Sequence, residues 1–258
     1  MKVFATYNVK GGVGKTAATV NLSYLASRAG YRCVVWDLDP QGAAGFYFRI
    51  EPESTTDPAA FLEKKRGLKA AVRGTNYPGL DLIPADLGHR NLDIALAEFR
   101  KPGSRLGKML DALADDYDLA FVDCAPHLSL VSENIFDMAD HLLVPVIPTP
   151  LSVRAYAQLR EFCGAHGLDR DKLLPFFSMV DRRRQLHCEL ITSFAAEHPE
   201  VLRSFIPYTS QVEKMGEQRA PVQTFAPGSP GARAFQALWR ALCARVGLDD
   251  GLPAADEA

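Results

Sequence analysis

Two lysines, three glycines and a threonine are closely spaced between Asn8 and Thr16, in the order Asn-Val-Lys-Gly-Gly-Val-Gly-Lys-Thr. Glycine lets a backbone turn tightly and bring its N–H groups close to an anion. At this spacing, Lys15 is predicted to contact the β- and γ-phosphates of a nucleotide and Thr16 to bind Mg²⁺. The alternative interpretation is a glycine turn with two solvated lysines.

The stretches on either side of this loop are predicted to hold it in place. Val3–Tyr7 is apolar and typical of a buried strand, whereas Ala17–Ala26 is typical of a helix, which should end near Gly30. The N-terminus of a helix carries a partial positive charge and favours anions. Because a strand, a glycine loop and a helix in this order are the usual context of a phosphate-binding loop, we favour that interpretation.

Two aspartates follow the next apolar stretch. Residues 31–36 predict a second buried strand, and Asp37 and Asp39 come directly after it in Asp-Leu-Asp-Pro-Gln-Gly. Carboxylates at the C-terminal end of a parallel strand lie at the ligand-binding edge of the sheet. On their own, these residues would also suit a polar turn. Together with the phosphate-binding loop, they indicate groups that act on a bound nucleotide.

A third aspartate ends a later strand. Leu119–Asp123 reads as a buried strand with Asp123 at its C-terminal end. Mg²⁺ prefers one or two carboxylates and several waters. We therefore expect Asp123 to support Mg²⁺ through water, beside the nucleotide.

These motifs together resemble those of the ParA/MinD family of P-loop ATPases. The loop with its extra lysine, Lys10, resembles the family's deviant Walker A motif, and the segments at Asp39 and Asp123 resemble its later motifs. The resemblance implies one α/β domain over residues 1–247, with a mostly parallel twisted sheet flanked by helices. An acidic, disordered tail is expected to follow at residues 248–258.

The resemblance also implies ATP or ADP and Mg²⁺ as cofactors. Catalysis is expected from Lys10, Lys15 and Asp39: Lys10 reaches the partner's phosphates across an ATP-bound homodimer, and Asp39 orients the attacking water. Metal is expected at Thr16, Asp37 and Asp123. The residues implied in nucleotide binding are Lys10, Gly11, Gly12, Val13, Gly14, Lys15, Thr16, Ala17, Met179, Pro207 and Tyr208.

The last three of these residues are expected near the adenine base. Met179 belongs to a strand, Leu173–Val180, whose end resembles the family's Met-x-Asp-x-Arg pattern. Ile206-Pro207 resembles the start of the family's Ile-Pro-Arg loop, with Tyr208 in place of the arginine. A tyrosine at this position could stack on adenine.

Family members of this type bind duplex DNA without sequence preference and respond to an activator of the ParB or adaptor type. The resemblance implies the same partners here, with candidate DNA contacts at Arg182, Arg183, Arg184, Lys214 and Arg219. For any one of them, a solvated surface charge is the simpler interpretation. Gln211 stands where close small relatives have a DNA-contacting arginine, so DNA binding should be weaker, moved to neighbouring residues, or lost.

Composition limits the remaining possibilities. The formal net charge is −2, so nucleic acid must bind a local patch. The five scattered cysteines indicate reduced thiols, and no stretch of about 18 apolar residues predicts a membrane span. We expect a cytoplasmic, nucleoid-associated protein without a membrane partner. Two functions stay open: a DNA-partition or cargo-positioning ATPase, and a metabolic or metal-cluster-carrier ATPase on the same fold.

Overall fold

The computed structural model describes residues 1–51, 59, 62, 67–85, 91–99 and 102–252. The strands in this part form one sheet, in the order β3-β4-β2-β5-β1-β6-β7-β8. Only β3 is antiparallel to its neighbour among these described strands. The strands are Lys2–Thr6 (β1), Cys33–Asp37 (β2), Arg73–Gly74 (β3), Leu80–Ile83 (β4), Leu119–Asp123 (β5), His141–Val146 (β6), Leu173–Val180 (β7) and Phe205–Pro207 (β8).

Helices cover both faces of this sheet, which confirms the predicted α/β class. The α-helices in the described part are Lys15–Arg28 (α1), Ala43–Phe48 (α2), Gly67–Ala71 (α3), Leu92–Ala97 (α4), Arg105–Leu110 (α5), Leu130–Met138 (α6), Pro150–Ala165 (α7), Gln185–Glu197 (α8), Ser210–Glu213 (α9), Met215–Gln218 (α10), Val222–Phe225 (α11) and Pro230–Val246 (α12). Short 3-10 turns occur at Pro102–Ser104, Asp111–Leu113 and Arg170–Lys172.

The two faces follow from the alternation of side chains along each strand. In β2, Val34 and Trp36 belong to one apolar cluster, whereas Cys33 and Val35 belong to another on the opposite face. All five residues of β2 are buried. A strand buried on both faces reads as a continuous apolar run, which is why the central strands could be located in the sequence.

Several elements differ from the sequence-based expectation. The sequence from Val201 to Pro207 predicts a final short strand, whereas the structure has a strand only over Phe205–Pro207. The elements α2, α6, β6 and α8 are among those that the sequence did not reveal. Helical spacing predicts a helix over residues 88–99; part of this range lies outside the described residues, and Leu92–Ala97 forms α4.

The first residues of the predicted tail contact the body of the protein. The indole N–H of Trp239 donates to the carbonyl of Asp250 at 2.9 Å. The hydroxyl of Tyr31 donates to the carbonyl of Asp249 at 3.0 Å. Residues 253–258 lie outside the described part. Within the described residues, no helix has the length and apolar composition to cross a bilayer.

Candidate functional site

The glycine loop lies between the C-terminal end of β1 and the start of α1. Gly14 precedes α1 with φ at 94°, a conformation that favours glycine. A side-chain carbon at this position would lie 3.0 Å from the Ser178 hydroxyl, which is a second reason for glycine. Gly11 and Gly12 are exposed, and a side-chain carbon at either position would have no neighbour within 4 Å. The loop is therefore open to a ligand on one side and closely packed on the other.

Lys15 points back into this loop. Its Nζ donates to the carbonyl of Lys10 at 3.3 Å, and only 7% of the residue is exposed. Burial lowers the pKa of Lys15, while the negative charge of Asp123 opposes that effect. A half-desolvated cation beside exposed backbone N–H groups is suited to binding an anion such as phosphate.

Thr16 and Asp123 are in direct contact, although 107 residues separate them in the chain. The Thr16 hydroxyl donates to Asp123 Oδ2 at 2.6 Å. Thr19 makes a longer contact with the other oxygen, at 3.4 Å. Burial raises the pKa of Asp123, and the Thr16 hydrogen bond partly counteracts this. Two of the three residues predicted to bind metal are therefore in direct contact.

Asp37 is aligned with Asp123 on the neighbouring strand, but its carboxylate is directed at backbone groups. Oδ1 accepts from Asp39 N at 3.1 Å, and Oδ2 accepts from Ala44 N at 3.0 Å and Gly45 N at 3.4 Å. Burial raises the pKa of Asp37, with Asp123 adding to the effect. This geometry favours a role in holding the start of α2 over the predicted metal role.

Asp39 is half-buried at the edge of a cleft of about 800 Å³. Its Oδ1 accepts from Gln41 N at 3.0 Å, which fixes the turn that leads into α2. Residues of the glycine loop and Thr16 line the same cleft. A carboxylate facing the phosphate-binding loop could orient a water molecule.

Lys10 extends from the loop toward α7. Its Nζ lies 3.4 Å from the hydroxyl of Ser152, a fully buried residue in the first turn of that helix. Its backbone N–H donates to Asn8 Oδ1 at 2.9 Å. Lys10 therefore reaches toward α7, and within the described residues no hydrogen bond joins its ammonium to Asp39 or Asp123.

The three residues expected near adenine line a small apolar cavity of about 80 Å³ next to Gly14 and Ala17. Met179 has a positive φ of 55°, at an irregularity in the pairing of β7 with β8. Such strained backbone conformations cluster at functional sites. Pro207 and Tyr208 form the outer wall, and Tyr208 is 59% exposed.

The five predicted nucleic-acid contacts are in two different situations. Arg182, Arg184 and Lys214 are exposed. Arg183 is exposed as well, but it pairs with Asp181 at 2.9 Å, and this interaction lowers the pKa of Asp181 to about 2. Arg219 is tied to the protein through the carbonyl and ring of Phe46. We therefore keep three of the five as candidates for a DNA interface.

Comparison with known proteins places these features in a family. The sequence model described as an AAA domain matches residues 1–166. Chromosome partitioning protein ParA of Caulobacter vibrioides is 28% identical over 254 residues, which cover 95% of each chain. The chain belongs to the ParA/MinD family of P-loop ATPases.

Solved structures show that the family fold extends over nearly the whole chain. An ATP complex of a variant of McdA from Cyanothece has a TM-score of 0.80 at 20% identity, covering 96% of this chain and 97% of that one. Cobyrinic acid a,c-diamide synthase from Mycobacterium smegmatis, with ADP and magnesium, has a TM-score of 0.77 at 24% identity, covering 96% of each chain. At these identities, the likeness concerns the fold.

The structure adds cleft residues to those that the family motifs name. Tyr47, Val212 and Glu213 line the main cleft, and Ser178 lines the smaller cavity. None of them belongs to the motifs near Thr16, Asp39 or Asp123, so their position depends on the fold alone. For Ser178, the sequence did offer a signal: it is a polar residue in the otherwise apolar strand β7, directly before Met179.

Cys124 follows Asp123 directly and is fully buried, with its thiol directed at the carbonyl of Val122 at 3.6 Å. Burial raises the pKa of its thiol. Over the described ranges, no group of three or more His, Cys, Asp or Glu side chains is arranged to hold a metal ion. Cys124 is therefore a buried thiol hydrogen-bonded to the backbone.

We predict that Asp123→Asn stabilises the protein when nucleotide and divalent metal are removed with a chelator. The folded-state pKa of Asp123 lies above its unfolded value near 4, so ionising it costs stability as the pH rises between the two. The variant should gain at least ~1 kcal/mol in its free energy of unfolding at pH 7.5, and this gain should shrink toward pH 4. Urea unfolding of the variant and the wild type at several pH values measures this difference in unfolding free energy.

The control is Asp111→Asn, which removes an exposed carboxylate and should change the unfolding free energy by less than about 0.5 kcal/mol at either pH. Equal stability of Asp123→Asn and the wild type at every pH would contradict the electrostatic description of the site.

Proposed function

We propose that this protein is a ParA-type ATPase that forms an ATP-dependent homodimer, binds duplex DNA without sequence preference, and positions DNA or a large cargo. Hydrolysis requires Mg²⁺ and is slow until a ParB-type or adaptor protein stimulates it. The observation that carries the proposal is the convergence of Lys10, Lys15, Thr16, Asp39 and Asp123 on one edge of the sheet. Chromosome partitioning protein ParA, similar over nearly its whole length, supports it.

The residues present fit a magnesium–nucleotide complex. A hydroxyl and a carboxylate 2.6 Å apart, those of Thr16 and Asp123, are oxygen donors of the kind Mg²⁺ prefers. Bound there, the ion would offset the charge of the phosphates and of the buried carboxylate. The exposed N–H groups of the glycine loop and the Lys15 ammonium would bind the phosphate oxygens.

Asp39 and Lys10 would act on the nucleotide from different protomers: Asp39 from the protomer that binds it, and Lys10 from the partner. Asp39 would orient water toward the terminal phosphate from the wall opposite the glycine loop. Lys10 would leave Ser152, to which its only side-chain hydrogen bond among the described residues is long at 3.4 Å, and reach the partner's phosphates. The nucleotide would therefore be enclosed completely only in the dimer.

DNA binding would use the exposed Arg182, Arg184 and Lys214. Tyr208 N donates to Val180 O at 3.0 Å, which brings the segments that carry these residues together at the C-terminal edge of the sheet. With a net charge of −2, the whole protein does not attract DNA, so this local patch must supply the affinity. The expected location is the cytoplasm, on the nucleoid.

One observation favours a second candidate, a metabolic ATPase of the same fold. The main cleft continues beyond the glycine loop to Leu92 and Asp93 of α4 and to Val131, Ser132 and Ile135 of α6. That space could hold a small substrate opposite the terminal phosphate. Cobyrinic acid a,c-diamide synthase shares the fold, so a small-molecule reaction is compatible with it.

Asp39→Ala is expected to keep its affinity for ATP within about threefold, because the phosphates bind the glycine loop, and to reduce turnover by about 100-fold or more. Asp39→Asn keeps an acceptor for Gln41 N and is the matched control for loop geometry. It should be equally inactive, because it lacks the charge. Fluorescent-nucleotide binding and phosphate release measure the two effects. Wild-type turnover in both variants would place the water-orienting group elsewhere.

The double variant Arg182→Ala/Arg184→Ala tests the DNA interface. If both arginines contact phosphates, the slope of log affinity against log salt should fall by about 2, measured with ATP and random-sequence duplex DNA. The matched control is Arg28→Ala/Lys108→Ala, which removes the same charge near the N-terminal ends of the strands and should leave the slope unchanged. Absence of ATP-dependent DNA binding in the wild type would favour the metabolic alternative.

A further inference from the structure

Two short helices, α2 in the wall of the cleft and α10, which follows the cleft residue Glu213 closely in the chain, each end in an arginine with a left-handed backbone. Arg49 follows α2 with φ at 59°, and Arg219 follows α10 with φ at 48°. After α1 and α12, the residues with this backbone are Gly30 and Gly247. Glycine adopts this conformation without the strain that a side chain brings. Arginine at both helix ends therefore indicates a side-chain interaction that offsets the strain.

The interaction is reciprocal. The guanidinium of Arg49 donates to the carbonyl of Gln218 at 2.8 Å and makes a longer contact with that of Arg219 at 3.4 Å. In return, Arg219 Nε donates to the carbonyl of Phe46 at 3.0 Å. Its guanidinium carbon also lies 4.6 Å from the centre of the Phe46 ring. Arg49 thus binds carbonyl groups at the end of α10, and Arg219 adds a second donor to the Phe46 carbonyl of α2, which also accepts from Arg49 N at 3.2 Å.

We infer that Arg49 and Arg219 are positioning residues that clasp α10 to α2, a helix in the wall of the cleft, and thereby hold the Asp39 loop in register with the phosphate-binding loop. We define the clasp as these two side chains and the carbonyl groups that they bind; its existence follows from the structure alone. Its effect on hydrolysis rests on the proposed function.

One side of the clasp is anchored to the helix that follows the phosphate-binding loop. Asn21, in the middle of α1, is fully buried. Its Oδ1 accepts from Val222 N at 2.9 Å, and its Nδ2 lies 3.2 Å from Met215 Sδ. The segment from α10 to α11 is therefore fixed to α1. The clasp links α2 to this segment, and so restrains the position of α2 relative to α1.

The other side of the clasp is the wall that carries Asp39. The helix α2 has only six residues, so it is too short to be stable without contacts to the rest of the fold. Asp37 holds its first turn, and Ala44 and Phe48 bury its inner face. Phe46 is 49% exposed on the outer side, where the clasp provides the contact. Loss of the clasp should therefore loosen α2 and the turn before it.

Amide hydrogen exchange in the nucleotide-free protein tests the clasp directly. The variants are Arg49→Gly, Arg219→Gly and the double variant, in which glycine removes the side chain and also relieves the backbone strain. Arg28→Ala, which removes an exposed arginine at the end of α1, is the control. Either single variant should speed exchange in residues 41–48 by about tenfold, and the double variant should add little, because both side chains serve one interaction. Unchanged exchange at 41–48 in Arg219→Gly would overturn the inference.

Kinetics separate positioning from general support. In the single variants we expect turnover to fall by about tenfold while ADP affinity changes less than about threefold, because the glycine loop binds the phosphates without the clasp. Arg49→Lys keeps one donor and should recover part of the turnover. An equal loss of ADP affinity and turnover would overturn the positioning role. If the wild type does not hydrolyse ATP, the proposed function fails, but hydrogen exchange still decides whether the clasp exists.

Discussion

Two buried carboxylates at the same level of neighbouring strands constrain the rest of the site. Asp37 and Asp123 are paired in register and fully buried, and an uncompensated charge at such a depth costs several kcal/mol. The protein stabilises these two buried carboxylates in different ways. Backbone N–H groups at the start of α2 surround Asp37, whereas Asp123 receives the Thr16 hydroxyl and lies near Lys15. One carboxylate is therefore used to build the wall, and the other is available to a cation.

The parts of the site that could be predicted from the sequence are those whose chemistry is local. The glycine loop and the turn at Asp39 are contiguous segments, and their function depends on residue order over a few positions. The strands that end in Asp37 and Asp123 could be located because strands buried on both faces are continuously apolar. The last helix, Pro230–Val246, can also be located in the sequence, because its apolar residues recur at helical spacing.

The rest could not be predicted because it depends on contacts between distant segments. The helix α2 is held by Asp37 and by the side chain of Arg219, which lies 173 residues beyond Phe46 in the chain, so its six residues carry no helical period of their own. The family resemblance implied a DNA contact for Arg219 and a metal role for Asp37. In the structure, the guanidinium of Arg219 binds the carbonyl and ring of Phe46, and the carboxylate of Asp37 accepts hydrogen bonds from backbone amides. Residue type and spacing do not reveal which polar groups the fold has already used.

In the proposed function, a second copy of the chain completes the cleft only when ATP is bound. The solution mass of Asp39→Ala, measured by light scattering or sedimentation with Mg²⁺ and either ATP or ADP, tests this proposal. We expect the mass of two chains with ATP and of one chain with ADP. When Lys10→Ala is added, we expect the mass of one chain with ATP. A single chain with bound ATP, or a dimer that forms equally without Lys10, would show that the proposed dimer is wrong.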